Sequence, residues 1–144
     1  MAFGAIDPGS GTTVMMQVAD GYAKLAQRGW RPSRSIEIAS WDGHELGLYG
    51  SAALIYETGP DLRKNVFQYI NTDQLTTGDP FVVSASPGLF AFMKQIVDIV
   101  PTANGKGTLG TRDQRVDPLL NAMTGGSDHQ NFAYMLGTPS TREI

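Results

Sequence analysis

The sequence predicts an α/β domain, a three-layer sandwich around a mostly parallel mixed sheet. Three observations lead there. Apolar runs of strand length alternate with segments of helical spacing. Clusters of Gly, Pro and Asp separate them. Strands alternating with helices favour a sheet that is parallel through its first three strands, and right-handed crossovers would put helices on both of its faces.

The elements follow in order. Residues 3–6 (FGAI) are short and apolar and end in the turn formers Asp7, Pro8 and Gly9, so they read as a first strand. Val14, Val18, Tyr22 and Leu25 recur every three or four residues, which predicts a helix over about 10–28 that Gly29 and Pro32 end. Residues 35–41, with Ile36 and Ile38, read as a second strand, and 48–58 as a second helix stopped by Gly59 and Pro60. The β-formers of 65–71 (NVFQYIN) predict a third strand and 81–85 a fourth. Pro87 suits the start of a helix running to Val100. The polar, glycine-rich stretch 102–117 reads as a long loop, which in a compact domain is functional or mobile. Residues 118–123 predict a helical turn, and Ser127 or Asp128 can cap a last helix to Leu136 that Pro139 closes.

At 144 residues the chain reads as a single domain, 1–144. An apolar content of 41% and a charged content of 17% exclude a disordered chain. The net charge of -3 gives no reason to expect nucleic acid as a partner. No apolar run approaches the ~20 residues a membrane span needs. With no cysteine, disulfides and thiolate metal sites are excluded, and any metal would rely on carboxylates, histidines and water. The first residues have neither the basic start nor the apolar stretch of a signal peptide, so no compartment is assigned. A strand entered almost at once is expected of a truncated, partial domain.

Ligands of open α/β sheets gather beyond the carboxyl ends of the strands. Asp7 follows the first predicted strand, His44 and Glu45 the second, and Asp73 the third. Carboxylates that face one another repel, so a divalent metal between them is one reading, with zinc plausible beside an imidazole. The other reading is that each acid caps a helix.

Residues 29–51 (GWRPSRSIEIASWDGHELGLYGS) resemble the ligand-bearing stretch of the M28 zinc peptidases, in the branch of glutamate carboxypeptidase II and the transferrin receptor. Residues 3–11 (FGAIDPGSG) are similar to that branch's segment with the metal-bridging aspartate, and 69–73 (YINTD) to a strand end with a further aspartate ligand. Residues 126–139 (GSDHQNFAYMLGTP) resemble a segment beside the substrate pocket. The matches keep their order over nearly the whole chain. The resemblance implies a zinc-exopeptidase-like fold and hydrolysis of peptide bonds by metal-activated water. It implies that Asp7 bridges two zinc ions, that Glu45 binds one and Asp73 the other, and that Ser127 and Asp128 line the substrate pocket. Arg142 falls near an arginine that shapes this pocket in the carboxypeptidase branch; alternatively it is a solvated terminal arginine.

The chain departs from the pattern in three places. The family's two histidine ligands fall upstream of Asp7 and beyond Ile144, so zinc held by this chain would be weak or absent. Where active members carry a Glu-Glu pair, this chain has His44-Glu45, with His44 at the general-base position. An imidazole can serve as a base or as a metal ligand, but it differs in size and shape, and loss of the base is the expectation. His129 is read as a capping and packing residue. Two functions follow from the resemblance: a fragment of a co-catalytic zinc exopeptidase, weakly active or inactive, with peptide as the parent's substrate, or a non-catalytic scaffold of the transferrin-receptor type. A partial sheet exposes edges and apolar faces, which predicts a homo-oligomer.

Overall fold

The computed structural model describes residues 3–75, 82–112, 123 and 125–143. Helix α1 spans Gly9–Gln27 and α2 Tyr49–Asn65; strand β1 is Tyr69–Thr72 and β2 Val83–Ala85. A 3₁₀ turn (Pro87–Leu89) leads into α3 (Phe90–Ile99), followed by the short α4 (Leu109–Arg112). Helix α5 (His129–Asn131) continues as a π-helical turn (Phe132–Leu136), and β3 is Ser140–Glu143.

The class is the mixed α/β one that the alternation predicts. Among the described residues the sheet has three strands in the order β1-β3-β2. Strand β3 runs parallel to β1, with Asn71 opposite Arg142, and antiparallel to β2, with Ser84 opposite Arg142. The central strand is thus the segment after Pro139 that carried no strand signal: four residues of Ser, Thr, Arg and Glu. Its pairing on both sides, not its side chains, makes it a strand.

The two expected N-terminal strands do not form. Residues 5–8 make a turn entered through Gly4 at φ 58, and 35–41 have no ladder partner among the described residues. Strand-forming residues need a neighbour for their N–H and C=O groups. Ile36 and Ile38 lack one, and each remains 47% exposed. The stop expected at Gly59-Pro60 is also overridden, since α2 carries Pro60 inside it. Ile55 and Gly59 are buried on this helix, and Leu136 lies over Gly59, so tertiary packing outweighs the hydrogen bond Pro60 forfeits. The loop expected over 102–117 holds α4 and a bridge between Pro101 and Thr108. The helical turn expected at 118–123 lies almost wholly outside the described residues.

Two apolar clusters hold the sheet. Ile55, Phe132 and Leu136 pack with Trp41, Leu54, Leu62 and Tyr69 where α2, the π turn and β1 meet. Val83, Ala85 and Met93 pack with Leu89 and Phe90 where α3 covers β2. Helix α1 is attached at its first turn. The Gly11 N–H donates to the Asp73 carbonyl (3.1 Å) and the Leu75 N–H to Ser10 Oγ (3.0 Å). A Cβ at Gly11 would fall on the carbonyls of Thr72 and Asp73, so only glycine permits this approach. No helix of the described residues is long and apolar enough to cross a membrane.

Candidate active site

The turn that bears His44 is built from special backbone. Gly43 and Gly47 have φ 66 and 119, and Leu48, the residue before α2, has φ 61. A left-handed leucine costs roughly 1–2 kcal/mol and persists only where surrounding contacts enforce it. Here Asn131 Nδ2 donates to the Leu48 carbonyl at 3.2 Å. Gly50 N donates to the Asp42 carbonyl at 2.9 Å, and a Cβ on Gly50 would collide with Asp42 backbone. The sequence string DGHELGL is therefore a turn folded back on the start of α2.

This turn brings His44 to the carboxyl end of β1. His44 Nδ1 lies 2.7 Å from Asp128 Oδ2, within hydrogen-bond distance, and Nε2 lies 3.8 Å from Asp73 Oδ2. Ser127 Oγ donates to the same Asp73 oxygen at 2.7 Å, and Asn71 Nδ2 donates to Ser127 Oγ at 2.9 Å. Ser51 Oγ donates to Asp128 Oδ1 at 2.5 Å. Ser51, Asn71, Ser127, Asp128 and Asn131 are all buried, so these bonds form in a medium where water does not compete.

Two groups are shifted by these surroundings. Burial by itself would lower the His44 pKa, but the Asp128 hydrogen bond and the charges of Asp128, Asp73 and Glu45 outweigh it and raise the value above 6.5. Burial pushes the Tyr69 hydroxyl well above the usual phenol range, against a hydrogen bond from Trp41 Nε1 at 2.9 Å and with the charges of Asp128 and Asp73 adding to it. Tyr69 stacks on Phe132, ring centroids 4.2 Å apart, so the apolar cluster forms the floor of the polar one.

The structure joins some of the expected residues and separates others. Asp73, His44, Ser127 and Asp128 meet in one network. Asp7 lies at its rim, accepting from Gln74 Nε2 at 2.6 Å, while Glu45 is exposed on the turn. Among the described residues no three His, Asp or Glu side chains are arranged to hold a metal ion. As placed, Asp7, Glu45 and Asp73 do not form a joint ligand group among the described residues. Arg142 is half-buried on the central strand, its Nη1 3.5 Å from the Gly125 carbonyl and its Nε buried with no hydrogen-bond partner among the described residues. The caps expected from Ser127 and Asp128 are absent, because α5 has no side-chain cap and both side chains are used in the network. His129 is fully buried beside them. Sequence reasoning missed Asn71, Ser51 and Asn131; each lies in a segment that resembles the family, and only its bonds to Ser127, Asp128 and Leu48 show its part in the site.

A mixed α/β unit with its ionisable side chains gathered at one strand end is the framework of many hydrolases. Residues 1–141 match the model of peptidase family M28, and the chain belongs to that family. It is 35% identical over 143 residues to a probable glutamate carboxypeptidase of Arabidopsis thaliana, covering 95% of this chain and 21% of the relative. It is 31% identical to the aminopeptidase NAALADL1 of Rattus norvegicus, covering 95% of this chain and 20% of the relative. The vacuolar protein sorting-associated protein 70 of Saccharomyces cerevisiae is 29% identical, with 93% and 17% covered. The chain thus spans about a fifth of the length of the curated relatives it matches.

Proposed function

We propose that this chain is the carboxylate-bearing part of a co-catalytic zinc exopeptidase, a single partial M28 domain that by itself is weakly active or inactive. The observation that carries this reading is Asp73, a carboxylate at the carboxyl end of β1 that accepts from Ser127 Oγ at 2.7 Å. Membership of the family and relatives named as glutamate carboxypeptidase and aminopeptidase support peptide as the substrate class. In this reading Asp7, Glu45 and Asp73 are the residues that would hold zinc, and they hold it weakly because neither histidine ligand of the family pattern joins them. Ser127, Asp128 and Arg142 border the substrate pocket.

The alternative is a non-catalytic M28-like scaffold, favoured by an imidazole in place of the base and by its engagement with Asp128 at 2.7 Å. A relative named for vacuolar sorting accords with it. Purified chain, assayed on free and blocked dipeptides with and without zinc and a chelator, separates these readings. Turnover at enzymatic rates, about 1–10³ s⁻¹, that a chelator stops would overturn the weak-activity reading. Zinc binding that Asp73→Asn abolishes supports the exopeptidase reading; no binding at saturating zinc supports the scaffold. The exposed apolar face of α1 supports self-association in either case.

A further inference from the structure

His44 is held by a directed chain of hydrogen bonds that begins in α5. Asn131 Nδ2 donates to Ser51 Oγ at 2.8 Å and to the Leu48 carbonyl at 3.2 Å. Ser51 Oγ accepts that hydrogen and gives its own to Asp128 Oδ1 at 2.5 Å. The second Asp128 oxygen, Oδ2, lies 2.7 Å from His44 Nδ1. An ionised carboxylate only accepts, so the hydrogen in this last bond belongs to Nδ1. The remaining ring nitrogen, Nε2, is then the one that faces Asp73 Oδ2, 3.8 Å away.

Every supporting member is shielded. Ser51 is 0%, Asp128 5% and Asn131 9% exposed. Asn131 also grips the left-handed Leu48, so one side chain fixes both the turn that carries His44 and the serine that orients the carboxylate. A ring bonded at one nitrogen to an acceptor held in this way has lost both its rotation and its choice of tautomer.

We propose that Asp128, seated by Ser51 and Asn131, is a positioning residue that locks the His44 imidazole with its hydrogen on Nδ1 and presents Nε2 to the Asp73 edge of the site. The inference rests on the reading that residue 44 stands at the general-base position, and it states what that residue offers. A carboxylate there would present two equivalent oxygens. This chain presents a single nitrogen of fixed direction, so any group that engages it approaches from the Asp73 side.

The test is a long-range proton–nitrogen correlation spectrum of the ¹⁵N-labelled full chain, recorded above the titration range of the ring. The chain has two histidines, and His44→Gln identifies the signals of the one at the site. The expected spectrum shows His44 with hydrogen on Nδ1. Asp128→Ala moves the hydrogen to Nε2, and Ser51→Ala, which keeps the carboxylate but removes its support, gives a mixture of the two forms. Hydrogen on Nε2 in the unsubstituted chain overturns the proposal, as does a wild-type pattern in Ser51→Ala together with a wild-type pattern or no fold in Asp128→Ala. The measurement uses neither zinc nor peptide. A wrong tautomer therefore sinks the positioning role and leaves the exopeptidase reading standing, whereas failure of the peptidase assay leaves the tautomer unchanged.

Discussion

The junction between α5 and β1 and the arm formed by α1 are held in opposite ways. At the junction, Phe132 is 4% exposed and lies against Tyr69 and Trp41, and polar groups above it bond almost entirely to one another. On α1 the two buried residues are Ser10 and Gly11. Its apolar stripe stays open, with Met16 61%, Val18 49% and Leu25 42% exposed. Beyond its docked first turn, the helix is closed by Gly29 and by the Tyr22–Trp30 stack at 5.8 Å. Periodicity therefore identified a helix in both regions, but a stripe says only that a surface wants covering. It does not say that the covering surface is among the residues that form the described core.

The largest effect that tests this contrast belongs to Phe132→Ala. Removing the ring takes away the stack on Tyr69 and the contact with Trp41, and the loss should be about 3–5 kcal/mol, read from urea denaturation. A loss below about 1 kcal/mol would mean that the junction is no better packed than the arm. Gly11→Ala comes next. The added Cβ meets backbone carbonyls that cannot swing aside, so α1 must shift off β1 at a cost of about 1–3 kcal/mol. Loss of hydrogen-exchange protection at the Gly11 amide would mark the detachment.

The pH dependence isolates the polar part of the junction. The folded pKa of His44 lies above its ordinary 6.5. Its contribution to stability is therefore fully present below that value and is lost as pH rises through the folded pKa. Denaturation midpoints measured across this window should fall with rising pH, and Asp128→Asn should flatten the fall. A midpoint that rises over the same window would contradict the charge arrangement around His44. The smallest effect on folding is expected from Leu25→Glu on the arm. Stability should change by no more than about 0.5 kcal/mol, while self-association, followed by analytical ultracentrifugation, should weaken. Unchanged association would place the contact elsewhere, on the strand edges.

Much of the fold was legible. The spacing of Val14, Val18, Tyr22 and Leu25 determined α1 to within a residue at either end, because a stripe and a glycine stop are local facts. The helix after Pro87 was local in the same sense, whereas the strand expected over 65–71 forms at Tyr69–Thr72 because α2 runs on to Asn65. The candidate site was half legible. Asp73, His44, Ser127 and Asp128 were singled out by motif, and they do converge. That hydrogen bonds tie the convergence together could not be read, since they depend on which partners Asn71, Ser51 and Asn131 meet across the fold.

By itself, then, the sequence determined the α/β class, the family, the main helices and most of the ionisable members of the site. These rest on short-range periodicity and on ordered motifs, which any sufficiently long stretch carries within itself. Tertiary structure alone decided which apolar runs became strands. Residues 35–41 had the composition but no ladder partner among the described residues, while Ser140–Glu143 had neither alternation nor bulk and became the central strand through bonds on both sides. It also decided the meaning of His44. The residue type allowed a base, a ligand or neither, and only the fold, by setting Asp128 2.7 Å from one nitrogen and Asp73 3.8 Å from the other, gave the ring a direction.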